Sequence, residues 1–64
     1  MQEHQLRVVK EKEELDEKRS KLKPFVEGEV FKGLDPQDQL LLQRQLNIMD
    51  QYSMILDARI TRFA

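Results

Sequence analysis

The second half of the chain carries hydrophobic residues at the spacing of a helix with two apolar sides. Stepping about 100° per residue from Leu42, a central apolar row has a second one beside it. The central row is Leu42, Met49, Leu56 and Phe63, flanked on one side by Leu46 and Ile60, and the second row, on the other side, is Leu41, Ile48 and Ile55. A polar row of Gln45, Tyr52 and Arg59 lies between them. This arc is too wide for one partner helix, so the pattern predicts more than one partner.

The polar row needs hydrogen-bonding partners if the apolar rows around it are buried. Three kinds of partner would satisfy it: the first helix of the same chain, a second copy of the chain, or a polar ligand held at an interface. In the first case Arg59 pairs with Glu3 or Glu11, and Tyr52 is an ordinary tyrosine at the edge of the core. In the last case the ring of Tyr52 offers a flat surface to a base, and the guanidinium of Arg59 offers a planar fork to a phosphate.

The first half predicts another helix, over about residues 2–22, with a much narrower apolar side. This segment is rich in Glu, Lys and Arg and has no Gly or Pro, a composition that favours helix. Its apolar row is Val8, Leu15 and Leu22, with charged residues on both flanks. A proline disfavours the helical conformation in the residue before it, so we expect Pro24 to close this helix.

A connector over residues 23–35 joins the two helices. Its hydrophobic residues predict a packed cap with a short helical turn near residues 30–32; they are Phe25, Val26, Val30, Phe31 and Leu34, with Gly28 and Gly33 as turn points. Asp35 followed by Pro36 is a strong helix start, with the aspartate as N-cap and the proline at the first helical position. The second helix is expected over about residues 36–63. The predicted fold is therefore all-α: an antiparallel two-helix hairpin formed by one domain, residues 1–64.

The length of the chain makes self-association the expected source of additional stability. The chain has 64 residues, fewer than the roughly 70 to 80 at which a single core comfortably supports a fold. It contains no cysteine, so a disulfide cannot stabilise it. A lone histidine, His4, does not form a metal site, and we expect neither metal nor cofactor. The surplus row of Leu41, Ile48 and Ile55 is therefore predicted to be the interface of a homo-oligomer, a dimer or larger.

Charge and motifs argue against several classes of protein. The net charge is −1, which predicts no long-range attraction to duplex nucleic acid or to an anionic membrane. No segment has the ~20 apolar residues of a membrane span or the apolar core of a signal peptide, so a cytoplasm is the expected location. No nucleophile with a base, and no pair of acids with a positioning partner, indicates an enzyme.

The order and spacing of residues across nearly the whole chain resemble a family of very small proteins of tailed bacteriophages and prophages. The matching residues of the first half are Arg7, Val8, Val9, Glu11, Glu14, Leu15, Lys18, Leu22 and Phe25. Those of the second half are Phe31, Leu34, Leu41, Leu42, Gln45, Met49, Tyr52, Leu56, Arg59, Ile60 and Phe63. The layout is similar to the helical hairpins of phage anti-CBASS and anti-Thoeris sponge proteins. Such proteins oligomerise and sequester nucleotide-derived immune signals without cleaving them.

This resemblance implies a sponge for a cyclic di- or trinucleotide in the cytoplasm of an infected bacterial host. Tyr52 would stack on a base, Arg59 and Arg7 from neighbouring chains would neutralise phosphates, and Gln45 or Lys18 would add hydrogen bonds. Arg7 is expected near the level of Tyr52 when residues are counted outward from the connector.

Two other functions fit the same pattern. The main alternative is an interaction module that captures a helix of a host or phage protein and takes no small ligand. A nucleic-acid accessory protein would need a basic face around Lys10, Lys21 and Lys23. A ligand site would leave Tyr52 and Arg59 reachable from solvent, whereas a protein-capture module would have them paired internally.

Overall fold

The computed structural model describes residues 1–63 and shows a hairpin of two long helices with a short helix in the connector. The helices are α1 (Glu3–Phe25), α2 (Glu29–Lys32) and α3 (Pro36–Thr61). No strand occurs among residues 1–63, and α1 packs along α3. The all-α hairpin is therefore confirmed. Ala64, the last residue of the predicted domain, lies outside the described residues.

Helix α1 extends one turn beyond its predicted end at Leu22 and includes Pro24. A proline in the last turn removes only its own N–H from the helical ladder, and the N–H groups after it still find acceptors. Val26 N–H donates to the Leu22 carbonyl at 3.1 Å, and Gly28 N–H donates to the Phe25 carbonyl at 3.1 Å. The expectation that Pro24 closes the helix is therefore wrong, because these later bonds keep the last turn helical.

The start of α3 follows the sequence prediction. Asp35 is the N-cap, and its carboxylate accepts a hydrogen bond of 2.8 Å from the backbone N–H of Gln37. Pro36 occupies the first helical position. The helix ends at Thr61 with Arg62 as its C-cap, within two residues of the predicted end.

The connector is packed around one aromatic residue. Phe31, in α2, is buried, and its ring meets that of Phe25 edge-on with the centroids 6.4 Å apart. Gln39 attaches α3 to the connector, since its side-chain amide donates to the Leu34 carbonyl at 2.9 Å. Val30 was expected among the packed anchors but is exposed, because α2 turns that side chain away from Phe31.

The hydrophobic core is thin for a chain of this length. Val8, Phe31 and Leu56 are the buried hydrophobic residues of the described chain, and Leu15 and Leu22 are half-buried. Full burial of such a side chain stabilises by about 1.5–3 kcal/mol, whereas ordering each backbone residue costs about 1–2 kcal/mol. A lone hairpin therefore has little stability in reserve.

The hairpin is a rod with more exposed surface than a compact protein of its mass. It measures 45 × 15 × 13 Å and has a radius of gyration of 14.6 Å, against about 10.7 Å for a compact domain of this length. Its accessible surface is 5122 Å², whereas a compact monomer of this mass exposes about 4,300 Å². The excess is about 800 Å². Among residues 1–63 no helix has the length and apolar character needed to cross a membrane.

Candidate ligand-binding and assembly face

One whole side of α3 is left uncovered by α1. We call this side the open face and define it by Leu41, Gln45, Ile48, Tyr52, Ile55 and Arg59, which all share it and are all exposed. The three aliphatic residues retain 53%, 63% and 58% of their accessible surface in chain order, and Tyr52 retains 40%. The predicted surplus of apolar surface is therefore present, because the narrow apolar row of α1 covers only the neighbouring side of α3.

The polar row lies on this open face and is not enclosed within the hairpin. Within residues 1–63 the one hydrogen bond of the Gln45 side-chain amide is donated to the sulfur of Met49, at 3.9 Å. Glu3 forms its ion pair with Arg7 on α1, at 2.9 Å, and within residues 1–63 Arg59 has no carboxylate partner on α1. The expected pairing of Arg59 with Glu3 or Glu11 is therefore wrong. These donors face solvent instead of the first helix.

The register of the two helices decides which α1 residues lie beside the open face. Two interhelical contacts, Asp16 with Ser53 and Arg19 with Asp50, have residue numbers that add to the same total. Lys18 therefore lies level with Gln51, one residue before Tyr52.

Arg7, by contrast, lies level with Arg62, and the ten residues from there to Tyr52 span about 15 Å along a helix. The expected closeness of Arg7 to Tyr52 within one chain is wrong. The reason is that α1 ends level with Arg44, so the first two turns of α3 lie beside the connector.

A polar cluster joins α1 to α3 on the side of α3 away from the open face. It consists of Lys12, Asp16, Arg19, Asp50 and Ser53. The Arg19 guanidinium donates to the Asp50 carboxylate at 2.8 Å, to the Asp16 carboxylate at 2.8 Å and to the Ser53 hydroxyl at 3.1 Å. The buried Ser53 donates to Asp16 at 2.6 Å, and Lys12 Nζ bonds the other oxygen of Asp16 at 2.5 Å. Each polar group of the cluster has a hydrogen-bond partner. The cluster therefore fixes the alignment of α1 and α3 without leaving a buried polar group unpaired.

The cluster also shifts the proton affinities of its charged members. Hydrogen bonds from Lys12, Ser53 and Arg19 hold the pKa of Asp16 well below its ordinary value. Hydrogen bonds to Asp50 and Asp16 raise the pKa of Arg19. Both groups therefore stay charged through the physiological pH range, and the cluster holds α1 against α3.

Sequence reasoning did not find this cluster, although a signal for it exists. Asp16 and Arg19 are three residues apart on α1, and Asp50 and Ser53 are three residues apart on α3. Equal spacing on two antiparallel helices allows both pairs to meet at once. By helical phase the cluster lies on the side of α3 opposite the open face, so it fixes the hairpin and leaves that face free.

The fold is a small helical hairpin whose longest helix leaves one side uncovered. The chain belongs to the Sequestin family, whose model matches residues 2–62. The family name indicates a sequestering role. No curated protein and no solved structure matches the chain.

Proposed function

We propose that this protein is a bacteriophage sponge that binds and sequesters a cyclic oligonucleotide immune signal without cleaving it. The observation that carries the proposal is the exposed position of Tyr52 and Arg59 on an apolar face of a Sequestin chain. A ligand-binding protein needs such donors within reach of solvent. A residue that only stabilised the hairpin would be paired inside it.

The open face has the groups that a compact anionic nucleotide requires. The ring of Tyr52 stacks on a base, a contact worth about 1–3 kcal/mol. The guanidinium of Arg59 binds a phosphate through two parallel hydrogen bonds. Gln45 lies two turns before Tyr52 on the same face, and Lys18 of α1 lies within one residue of the level of Tyr52, so both can add polar contacts.

The shape of the chain favours a site formed by more than one copy. A rod 15 × 13 Å in cross-section has no interior that could enclose a nucleotide. Two copies whose open faces meet form a junction from which water is partly excluded, and electrostatic contacts are stronger there. Arg7 lies too far along the rod to reach a ligand on Tyr52 of its own chain, so a phosphate contact from Arg7 would have to come from a further neighbouring copy. Sequestration of this kind is stoichiometric and needs no catalytic group.

Calorimetric titration with a panel of cyclic di- and trinucleotides tests the proposal. We expect saturable binding with a fixed ratio of ligand to chain, and the ligand should be recovered unchanged after the protein is denatured. Arg59→Ala and Tyr52→Ala should each weaken binding at least tenfold while the helical content stays that of the wild type. Lys32→Ala is the matched control, because it removes one exposed positive charge from the connector and should bind like the wild type.

Absence of heat for every member of the panel at tens of micromolar would refute binding of a cyclic oligonucleotide. The panel also includes a cyclic nucleotide with a single base, such as cyclic ADP-ribose. Binding of that compound alone would show that the protein takes a different nucleotide ligand, whereas no binding at all would show that it takes none of those tested. The aliphatic part of the open face also fits a helix of another protein. That second function would be supported if no nucleotide bound and Ile48→Glu abolished association with a partner that the wild-type chain binds.

A further inference from the structure

Eight exposed positions along α3 and its C-terminal cap recur at alternating spacings of three and four residues. We call them the seam stripe: Asp38, Leu41, Gln45, Ile48, Tyr52, Ile55, Arg59 and Arg62. Such spacing sustained over about three heptads is the pattern by which one helix packs against another in a coiled coil. Neither α1 nor α2 covers the stripe, so its partner lies outside the single chain.

We propose that the seam stripe binds the seam stripe of a second copy, with the two α3 helices antiparallel and Asp38 opposite Arg62 of the second copy. This inference deepens the self-association on which the proposed function rests, since it assigns the face, the orientation and the register. It also holds if the ligand proves different.

The charges at the two ends of α3 select the orientation. The helix starts with Asp35 and Asp38 and ends with Arg59 and Arg62. An antiparallel pair sets each acidic start beside a basic end and also opposes the two helix dipoles. A parallel pair would bring like charges together at both ends. The charge distribution therefore favours the antiparallel arrangement.

The order of residues along the stripe selects the register. With Asp38 opposite Arg62 of the second copy, Gln45 faces Ile55 and Ile48 faces Tyr52, while the stem of Arg59 crosses Leu41. A shift of one heptad in one direction would set Asp38 against Ile55, and a shift in the other direction would set Arg59 against Ile48. Each shift would lose the pair of Asp38 with Arg62, whereas the register that keeps this pair only requires the aliphatic stem of Arg59 to lie along Leu41. One register alone joins opposite charges and leaves apolar contacts at the centre.

The elongated shape leaves more surface uncovered than a compact monomer of this mass would. The excess over the whole rod is about 800 Å², of the same order as the surface of about 800 Å² that one partner buries in a standard protein interface. The two-fold axis of the pair falls between the layers of Ile48 and Tyr52. The two copies of Tyr52 then lie four residues apart along the seam, or about 6 Å. A ligand at this junction therefore meets both copies.

Disulfide cross-linking tests the orientation and register directly, because the natural chain has no cysteine. Gln45→Cys chains and Ile55→Cys chains are prepared separately, then mixed and oxidised. A disulfide forms only between residues whose Cα atoms lie within about 7 Å. We expect the mixture to give a cross-linked dimer containing one chain of each kind. Neither variant alone should cross-link, since identical positions in the antiparallel pair lie about 15 Å apart along the axis.

Sedimentation then tests whether the face holds the copies together. Ile48→Glu should convert a dimer or larger assembly to a monomer at micromolar concentration, because it places two carboxylates at the centre of the seam. Met54→Glu is the matched control: it makes the same kind of change at an exposed hydrophobic residue of α3 outside the stripe and should leave assembly unchanged. Circular dichroism should show helical content in both variants.

The outcomes separate the two proposals. Cross-linking of the mixture supports the seam whether or not a nucleotide binds, and a larger assembly that still gives this cross-link supports it as well. Self-cross-linking of Gln45→Cys chains alone would overturn the antiparallel orientation. A wild-type chain that stays monomeric would overturn the seam, and nucleotide binding by that monomer would leave the proposed function standing without it.

Discussion

The two sides of α3 have the same helical geometry but opposite surroundings, since one is buried against α1 and the other is exposed. The side toward α1 contains Leu56, which has no exposed surface, and the polar pair Asp50 and Ser53, whose groups are bonded within the chain. The open face holds Ile48 and Tyr52, which α1 does not cover. The difference shows that one narrow interface between α1 and α3 specifies the hairpin, while the second side of α3 is available to a partner.

The largest loss of stability is expected on the α1 side of α3, from Leu56→Ala. Removal of this side chain leaves a cavity at the centre of the interface between α1 and α3 and should cost about 2–5 kcal/mol. That is enough to unfold most of a hairpin in which residues 1–63 include three buried hydrophobic ones. Thermal unfolding followed by circular dichroism at fixed protein concentration measures it. Met54→Ala, on an exposed part of the same helix, should change the midpoint of thermal unfolding little. Equal losses for both variants would contradict the placement of Leu56 at the interface between α1 and α3.

The polar cluster should respond next most strongly, to Arg19→Ala. This substitution removes the guanidinium that joins the half-buried carboxylates of Asp16 and Asp50, and with it three hydrogen bonds. Loss of hydrogen bonds to charged groups of this kind costs about 1–3 kcal/mol. The free energy of unfolding from denaturant titration is the measurement. Arg44→Ala removes the same charge from an exposed position and serves as the control. A loss no greater than that of the control would show that the cluster does not hold the helices.

A smaller loss is expected at the start of α3, from Asp35→Ala. The lost bond from the carboxylate to the Gln37 N–H should cost about 0.5–2 kcal/mol. Asp57→Ala, at an exposed position within the same helix, removes a charge without removing a cap. A midpoint of thermal unfolding that is unchanged relative to this control would show that the cap is redundant.

The smallest effect is expected in the pH dependence of folding stability, to which Asp16 contributes at the interface between α1 and α3. The pKa of Asp16 is lowered in the folded chain, chiefly by the hydrogen bond from Lys12, so the unfolded chain takes up its proton first as the pH falls. The contribution is fully present above the ordinary aspartate pKa of about 3.9 and is lost progressively below it. Asp16→Asn should flatten the thermal midpoint against pH below about pH 4, whereas Asp57→Asn should keep the wild-type slope there.

Local patterns in the sequence predicted the helices and the open face. Asp35 and Pro36 start α3 because capping involves only neighbouring backbone groups. The exposed row of Leu41, Ile48 and Ile55 follows from helical periodicity together with the narrow apolar row of α1. Helical phase depends only on residue spacing, so it can be read from one chain. The same reasoning failed at Pro24, where bonds made by the residues after it decide whether the last turn forms.

Only the tertiary structure decided how the two helices are aligned. The sequence by itself determined that two amphipathic helices form a hairpin and that one of them has apolar surface to spare. It did not determine that Lys18, and not Arg7, lies within one residue of the level of Tyr52, nor that the polar row faces solvent. That alignment depends on the contacts of Arg19 with Asp50 and of Asp16 with Ser53, which are more than thirty residues apart in the chain. Local periodicity fixes the face on which a side chain lies, whereas its level along a partner helix is set by long-range contacts of this kind.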